Sequence, residues 1–159
     1  MAKHQFEDFL MTVTDQYKAF VTTVHEMLQD AYKARIQSTK NGLSLSYSQP
    51  KTTWRLLGFS VRDKVLIVHV NTEHYAKYPD LLNDLPERIV NHIDQSPTCK
   101  KLIDPEKCWT TCEPGYDFYI GEKQYQKCRY SCFKLHVDTE SIPFFLALIE
   151  NEAKERRTS

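Results

Sequence analysis

Hydrophobic positions recur at steps of three and four along the first 35 residues. Phe6, Phe9, Leu10, Val13, Tyr17, Phe20, Val24, Met27, Leu28, Ala31 and Tyr32 follow this period with no Gly or Pro between them. The spacing predicts one long helix over residues 4–33. At 1.5 Å per residue, a helix of about 28 residues runs on the order of 40 Å. Such a helix would lie across a sheet, or supply the face of a homodimer. After it the period changes to two. Leu43, Leu45 and Tyr47 alternate with Ser44, Ser46 and Ser48, and Leu57, Phe59 and Val61 alternate with Gly58 and Ser60. Residues 34–70 therefore read as two hairpins, each with one buried and one wet side. Asn41-Gly42 suggests a type I′ turn in the first, and Arg62-Asp63-Lys64 turns the second. Residues 72–96 return to a helical period in pieces, with Pro79 and Pro86 suited to first turns and Pro97 as a stop.

Beyond Pro97 the pattern is irregular to residue 115. Tyr116–Ile120 then reads as a strand, Gly121-Glu122-Lys123 as a turn and Gln126–Val137 as a longer strand. Asp138 or Thr139 suits the cap of a last helix over 140–156, with Ile142, Phe145, Leu146, Ile149 and Ala153 as its apolar stripe. Strands joined by hairpins, with helices before, between and after, predict a single α+β domain over residues 1–159. Its expected architecture is a mostly antiparallel sheet of about six strands, on which a long N-terminal helix, a central helical segment and a C-terminal helix pack.

Composition narrows the function classes. With 41% apolar residues in 159 the chain can build a core without a metal or disulfide. Twenty-one basic residues balance twenty-one acidic ones, which argues against a nucleic-acid partner. The first residues, Met-Ala-Lys-His-Gln-Phe-Glu-Asp, lack an apolar signal core, and no apolar run reaches membrane-spanning length. The expectation is a cytoplasmic protein without a membrane partner.

All five cysteines fall in the second half. Cys108 and Cys112, then Cys128 and Cys132, form two C-x3-C pairs, and Cys99 precedes them. Paired thiolates at this spacing suit a structural zinc site. A strand over 126–137, however, would hold the Cα atoms of Cys128 and Cys132 roughly 13 Å apart. Sulfurs on one zinc sit under about 4 Å apart. The zinc candidates are therefore Cys99, Cys108, Cys112 and Cys128, with Cys132 outside. The alternatives are small apolar strand residues, or a redox thiol at Cys128 between Lys127 and Arg129.

No catalytic fingerprint accompanies the cysteines: there is no H-E-x-x-H, G-x-G-x-x-G, Walker A or G-x-S-x-G. The reading is therefore a binding module for a small molecule or a protein, without catalytic activity. Its candidate ligand-binding residues are Trp54, Tyr130, His136 and His69, because aromatic and basic side chains on strands suit a ligand or peptide. The stretch from Gly115-Tyr116-Asp117-Phe118 through Tyr125-Gln126-Lys127-Cys128 to Cys132-Phe133 resembles small bacterial proteins in which a Cys-bearing loop precedes a Y-x-K-C strand and a terminal helix. That resemblance implies an α+β fold and a bacterial cytosolic setting, and brings no activity with it.

Overall fold

The N-terminal apolar period is carried by two helices instead of one. The computed structural model describes residues 4–50, 55–103, 106 and 115–158. In it, α1 spans Phe6–Leu10 and α2 spans Asp15–Leu28. The break falls on Thr12-Val13-Thr14, a β-branched run that is stiff at χ1 and disfavours helix. Its hydroxyls bond elsewhere: Thr12 Oγ1 donates to Phe9 O at 2.7 Å and Thr14 Oγ1 to Lys64 O at 3.2 Å. Phe9 before the break and Val13 within it are both buried, so the hydrophobic period passes through it unmarked. Phe20, Val21, Val24 and Leu28 bury the face of α2 within the protein's own core. The single long helix, for which a homodimer face was one of two expected roles, is therefore not formed.

Five antiparallel strands form the main sheet, in the order β1-β2-β3-β4-β7. β1 is Lys33–Thr39, β2 Gly42–Ser48, β3 Arg55–Arg62, β4 Val65–Val70 and β7 Lys134–His136. The positive-φ turn lies in the second hairpin, at Asp63 (φ 51°) and Lys64 (φ 68°), the pattern of a type I′ connection. In the first hairpin only Gly42 has positive φ, at 125°, so Asn41 does not adopt the expected I′ conformation. The core face of the sheet carries a cross-strand row of Leu45, Phe59, Val68 and Leu135, each at most 1% exposed. α2 and the C-terminal helix α6, Ile142–Thr158, cover that face. Phe20 meets Phe59 edge-on at 5.9 Å and Phe145 at 6.2 Å. A short 3₁₀ turn at Thr139–Ser141 leads into α6, with Asp138 Oδ1 accepting from Ser141 N at 2.8 Å.

The segment between the two parts of the sheet is helical in pieces, as the prolines predict. A 3₁₀ turn at Tyr75–Lys77 precedes α3 (Pro79–Asn83), α4 (Glu87–Gln95) and α5 (Lys100–Ile103). A separate two-stranded sheet follows, β5 (Tyr116–Ile120) with β6 (Lys123–Lys127). Its Tyr116, Phe118 and Tyr125 cluster with Phe133 and Tyr75 as core.

The single strand expected over 126–137 is not formed. β6 ends at Lys127, and the chain turns through Cys128–Phe133 before β7. Ser131 N and Cys132 N both donate to Cys128 O, at 3.2 and 3.1 Å, while Cys128 N is drawn to Pro97 O at 2.9 Å. This turn lets Phe133 enter the core while Lys134–His136 move to the edge of the main sheet. The fold is thus α+β, with seven strands in two sheets among the described residues.

One buried polar knot ties the elements together. Glu152 of α6 is fully buried, and its carboxylate accepts from His74 N, His74 Nδ1, Tyr78 Oη and Arg156 Nε at 2.7–2.9 Å. Arg156, 6% exposed, also donates to Asn71 O at 3.0 Å and Arg55 O at 3.3 Å. The knot thereby fixes the end of β4, the start of β3 and the following 3₁₀ turn to the last helix.

Candidate functional site

The second face of the main sheet is floored by small residues and rimmed by cations. Antiparallel partners share a face, so the register reads directly across the sheet. One row runs Arg35, Ser46, Gly58, His69, Lys134, and the next runs Gln37, Ser44, Ser60, Ile67, His136. At ~4.8 Å between strands, the row from Arg35 to Lys134 is about 19 Å long. Ser, Gly and Ser lie in its middle, where short side chains leave a trough between the long ones.

Two adjoining depressions lie along this trough. The first, about 150 Å³, is lined by Ser44, Ser46, Arg55, Gly58, His69 and Lys134 among others. The second, about 420 Å³, lies toward the β1–β2 turn and takes in Asn41, Arg62, Ile67 and His136. Both share Ser60, Ile67 and Lys134. All of the described residues lining them belong to the sheet or to that turn.

Arg55 reaches the trough by lying across Gly58. A Cβ placed on Gly58 would lie 3.5 Å from Arg55 Nη1 and 3.7 Å from Arg55 Cδ, so the arginine lies over the glycine. Its backbone is held by Asn71 Nδ2, which donates to Arg55 O at 2.8 Å, and by Arg156. The register of β2 and β3 shifts beside it, between Tyr47 and Ser48, which re-aims the start of β3.

The cations of this face are left over from pairing. Lys18, Arg88, Lys123, Arg129 and Arg156 each have a carboxylate partner. Among the described residues, no carboxylate pairs with Arg35, Arg55 or Lys134. The hydroxyls of Ser44, Ser46 and Ser60 likewise have no hydrogen-bond partner among the described residues. His69 Nε2 lies 3.2 Å from Arg129 O. A carbonyl only accepts, so Nε2 carries the hydrogen. Burial holds the His69 imidazole below its ordinary pKa. The Arg129 carbonyl pulls the other way, while Lys134 and Arg55 lower it further. The neutral ring therefore keeps a bare Nδ1.

The sequence-derived candidates divide cleanly. His69 and His136 share this face, on neighbouring strands, each lining one of the two depressions. Tyr130 lies on the Cys128–Phe133 turn, 53% exposed, and lines neither. Trp54, Cys108 and Cys112 lie outside the described residues. Cys99 is buried and its Sγ accepts from Gly115 N at 3.2 Å. A Cβ at Gly115 would collide with the Lys127 carbonyl, so only glycine permits this approach. Cys128 is half-buried and Cys132 fully buried. The turn between them removes the 13 Å separation that a strand would impose. Burial pushes the Cys132 thiol far up, which keeps it protonated in the folded chain. Among the described residues no group of three or more His, Cys, Asp or Glu is placed to hold a metal.

Sequence reasoning missed Arg35, Arg55 and Lys134. The alternation of Ser44, Ser46, Gly58 and Ser60 marks the face turned away from the core, although Ser46 there is only 8% exposed. The long-range pairing that sets Lys134 beside His69 left no local signal. No family model, curated protein or solved structure matches this chain. Among the described residues, no helix is long and apolar enough to cross a membrane.

Proposed function

We propose that this chain is a binding module without catalytic activity, and that the small-residue face of its main sheet holds an anionic small molecule. The observation that carries this reading is the row Arg35–Ser46–Gly58–His69–Lys134 beside Ser44 and Ser60, whose cations have no carboxylate partner among the described residues. Arg55 and Lys134 are exposed to solvent, and both line one depression together with His69. An anion placed there meets attraction and hydrogen-bond donors together. The depressions have the scale of a small ligand's polar part, well below a standard protein interface.

Thermal unfolding tests the reading with citrate and pyrophosphate as probes, each compared with sodium chloride at equal ionic strength. A ligand that binds only the folded state raises Tm in a concentration-dependent way. The expected result is such a rise for at least one probe, abolished in the double variant Arg55→Glu, Lys134→Glu. No rise beyond the salt control, or an equal rise in the double variant, refutes it.

A second reading, a zinc-stabilised domain using Cys99, Cys108, Cys112 and Cys128, draws support from one observation. The bridge between Thr98 and Lys127 lays the Cys99 and Cys128 segments side by side and antiparallel. Elemental analysis of protein purified without chelator is expected to find near one equivalent of zinc if this reading holds, and below about a tenth if it fails.

A further inference from the structure

Resting on the anion-binding reading above, we infer that the group recognised over Gly58 is a phosphomonoester of a soluble small molecule, gripped from three strands by Arg55, His69 and Lys134. These three come from β3, β4 and β7, and all three line the 150 Å³ depression with Ser44, Ser46 and Ser60. Donors on three neighbouring strands line one depression on the same face. A tetrahedral phosphate offers three peripheral oxygens and answers all of them. A planar carboxylate also accepts several hydrogen bonds, but its lone pairs lie in one plane and it carries a single charge. Charge points the same way. A phosphomonoester carries about −1.5 to −2 near neutral pH. A single carboxylate would leave most of the cationic charge unbalanced.

His69 makes the recognition proton-linked. Its Nε2–H is committed to the Arg129 carbonyl. Neutral His69 therefore turns a lone pair at Nδ1, which has no partner among the described residues, and a lone pair repels a phosphate oxygen. The protonated ring instead offers Nδ1–H to it. The charged groups around the ring are Lys134 from β7 and Arg55 from β3, both of which oppose its protonation. His136 and Arg35 stand further off on the same face, and the Arg129 guanidinium is paired with Glu73. A bound dianion offsets Lys134 and Arg55 together, so His69 takes up a proton as the ligand arrives. The depression holds a phosphoryl head and little more, and the organic remainder of the ligand extends along the row toward Arg35.

Isothermal titration of the full chain tests this with three probes: phenyl phosphate, sulfate and malonate. Sulfate is a tetrahedral dianion that does not titrate near neutral pH, so any proton taken up on its binding belongs to the protein. Running it in two buffers of different ionisation enthalpy counts that proton. The expected result is that phenyl phosphate and sulfate bind about tenfold or more tighter than malonate, a difference worth one decade in Kd. Sulfate binding should take up a fraction of a proton that is greatest at the acid end of the range from pH 6 to 8 and falls as pH rises past the pKa of the ring in the complex. That uptake should vanish in His69→Gln. Lys134→Met, an exposed edge position, should weaken both tetrahedral ions without altering Tm.

Malonate binding as tightly as sulfate, or sulfate binding without proton uptake, overturns the phosphate assignment while leaving an anion-binding face in place. Absence of binding by all three overturns both. Phosphatidylcholine vesicles containing phosphatidic acid form the last arm. Their co-sedimentation with the protein, lost in Lys134→Met, would assign the phosphate to a lipid headgroup and overturn the soluble source.

Discussion

Replacing Glu152 with alanine is expected to cost about 3–5 kcal/mol of folding stability, the usual penalty for removing one partner of a buried ion pair. Glu152 is fully buried and Arg156 only 6% exposed. The variant leaves the guanidinium's Nε without its carboxylate in a site water does not reach. It also strips the acceptor from His74 N, His74 Nδ1 and Tyr78 Oη. Each orphaned donor adds a desolvation cost that the wild type does not bear. A domain of this size is stable by about 5–15 kcal/mol, so the loss takes a large share of the total. Urea unfolding followed by far-UV circular dichroism measures it. A loss below about 1 kcal/mol would show that the carboxylate's own burial cost cancels its partners' gain. Asp94→Ala removes the exposed Asp94–Lys123 pair and serves as the control, with the unfolding midpoint unmoved. The knot also bears on the candidate site. Arg156 and Asn71 hold the Arg55 carbonyl, and Arg55 lies over Gly58. Loosening Glu152 is therefore expected to weaken the proposed anion binding as well as the fold.

The fold was legible where its signals are local, and obscure where they are not. Period two in 43–48 and 57–61 reported both the strands and which side of them is wet, because a pleated strand alternates its side chains. The prolines at 79 and 86 located the starts of α3 and α4. The α1–α2 break was hidden because Phe9 and Val13 keep the core period through it. Only the Thr-Val-Thr run announced it. The Cys128–Phe133 turn was hidden for a different cause. No Gly or Pro marks it, and its stabilising bonds reach out to Pro97 and back within the turn. The error over that turn carried into the chemistry, since it made Lys134 and His136 the end of one strand pair when they edge another. Strand position alone points to the candidate site's two histidines. What makes a site of His69 is its register with Gly58 and Lys134, which is set by contacts 11 and 65 residues away in the chain.

Raising the pH above about 10 is expected to unfold the protein cooperatively, driven by three buried tyrosines. Tyr47, Tyr78 and Tyr116 are 0%, 6% and 1% exposed. Burial holds each phenol well above its ordinary range, and at Tyr78 the adjoining Glu152 carboxylate adds to it. Each is neutral and hydrogen-bonded in the fold: Tyr47 with His25 Nδ1 at 2.8 Å, Tyr78 with Glu152, Tyr116 with Thr72 N. In the unfolded chain all three ionise near 10. The folded pKa is thus the higher one, and the folded state holds more protons above pH 10. Their stabilisation is complete below about 10 and is lost as pH rises through the folded values. Each group contributes a slope of about 1.4 kcal/mol per pH unit, so the three together approach about 4 kcal/mol per unit. Against a stability of about 5–15 kcal/mol, that brings unfolding within a few units of pH 10. Urea midpoints measured from pH 8 to 11.5 should stay level and then fall. Absorbance at 295 nm should show a cooperative step coincident with loss of the far-UV signal. Tyr47→Phe removes one of the three titrating phenols and should flatten the fall by about a third. Complete phenol ionisation with the far-UV signal intact would show that these tyrosines reach solvent without unfolding, and would defeat the argument.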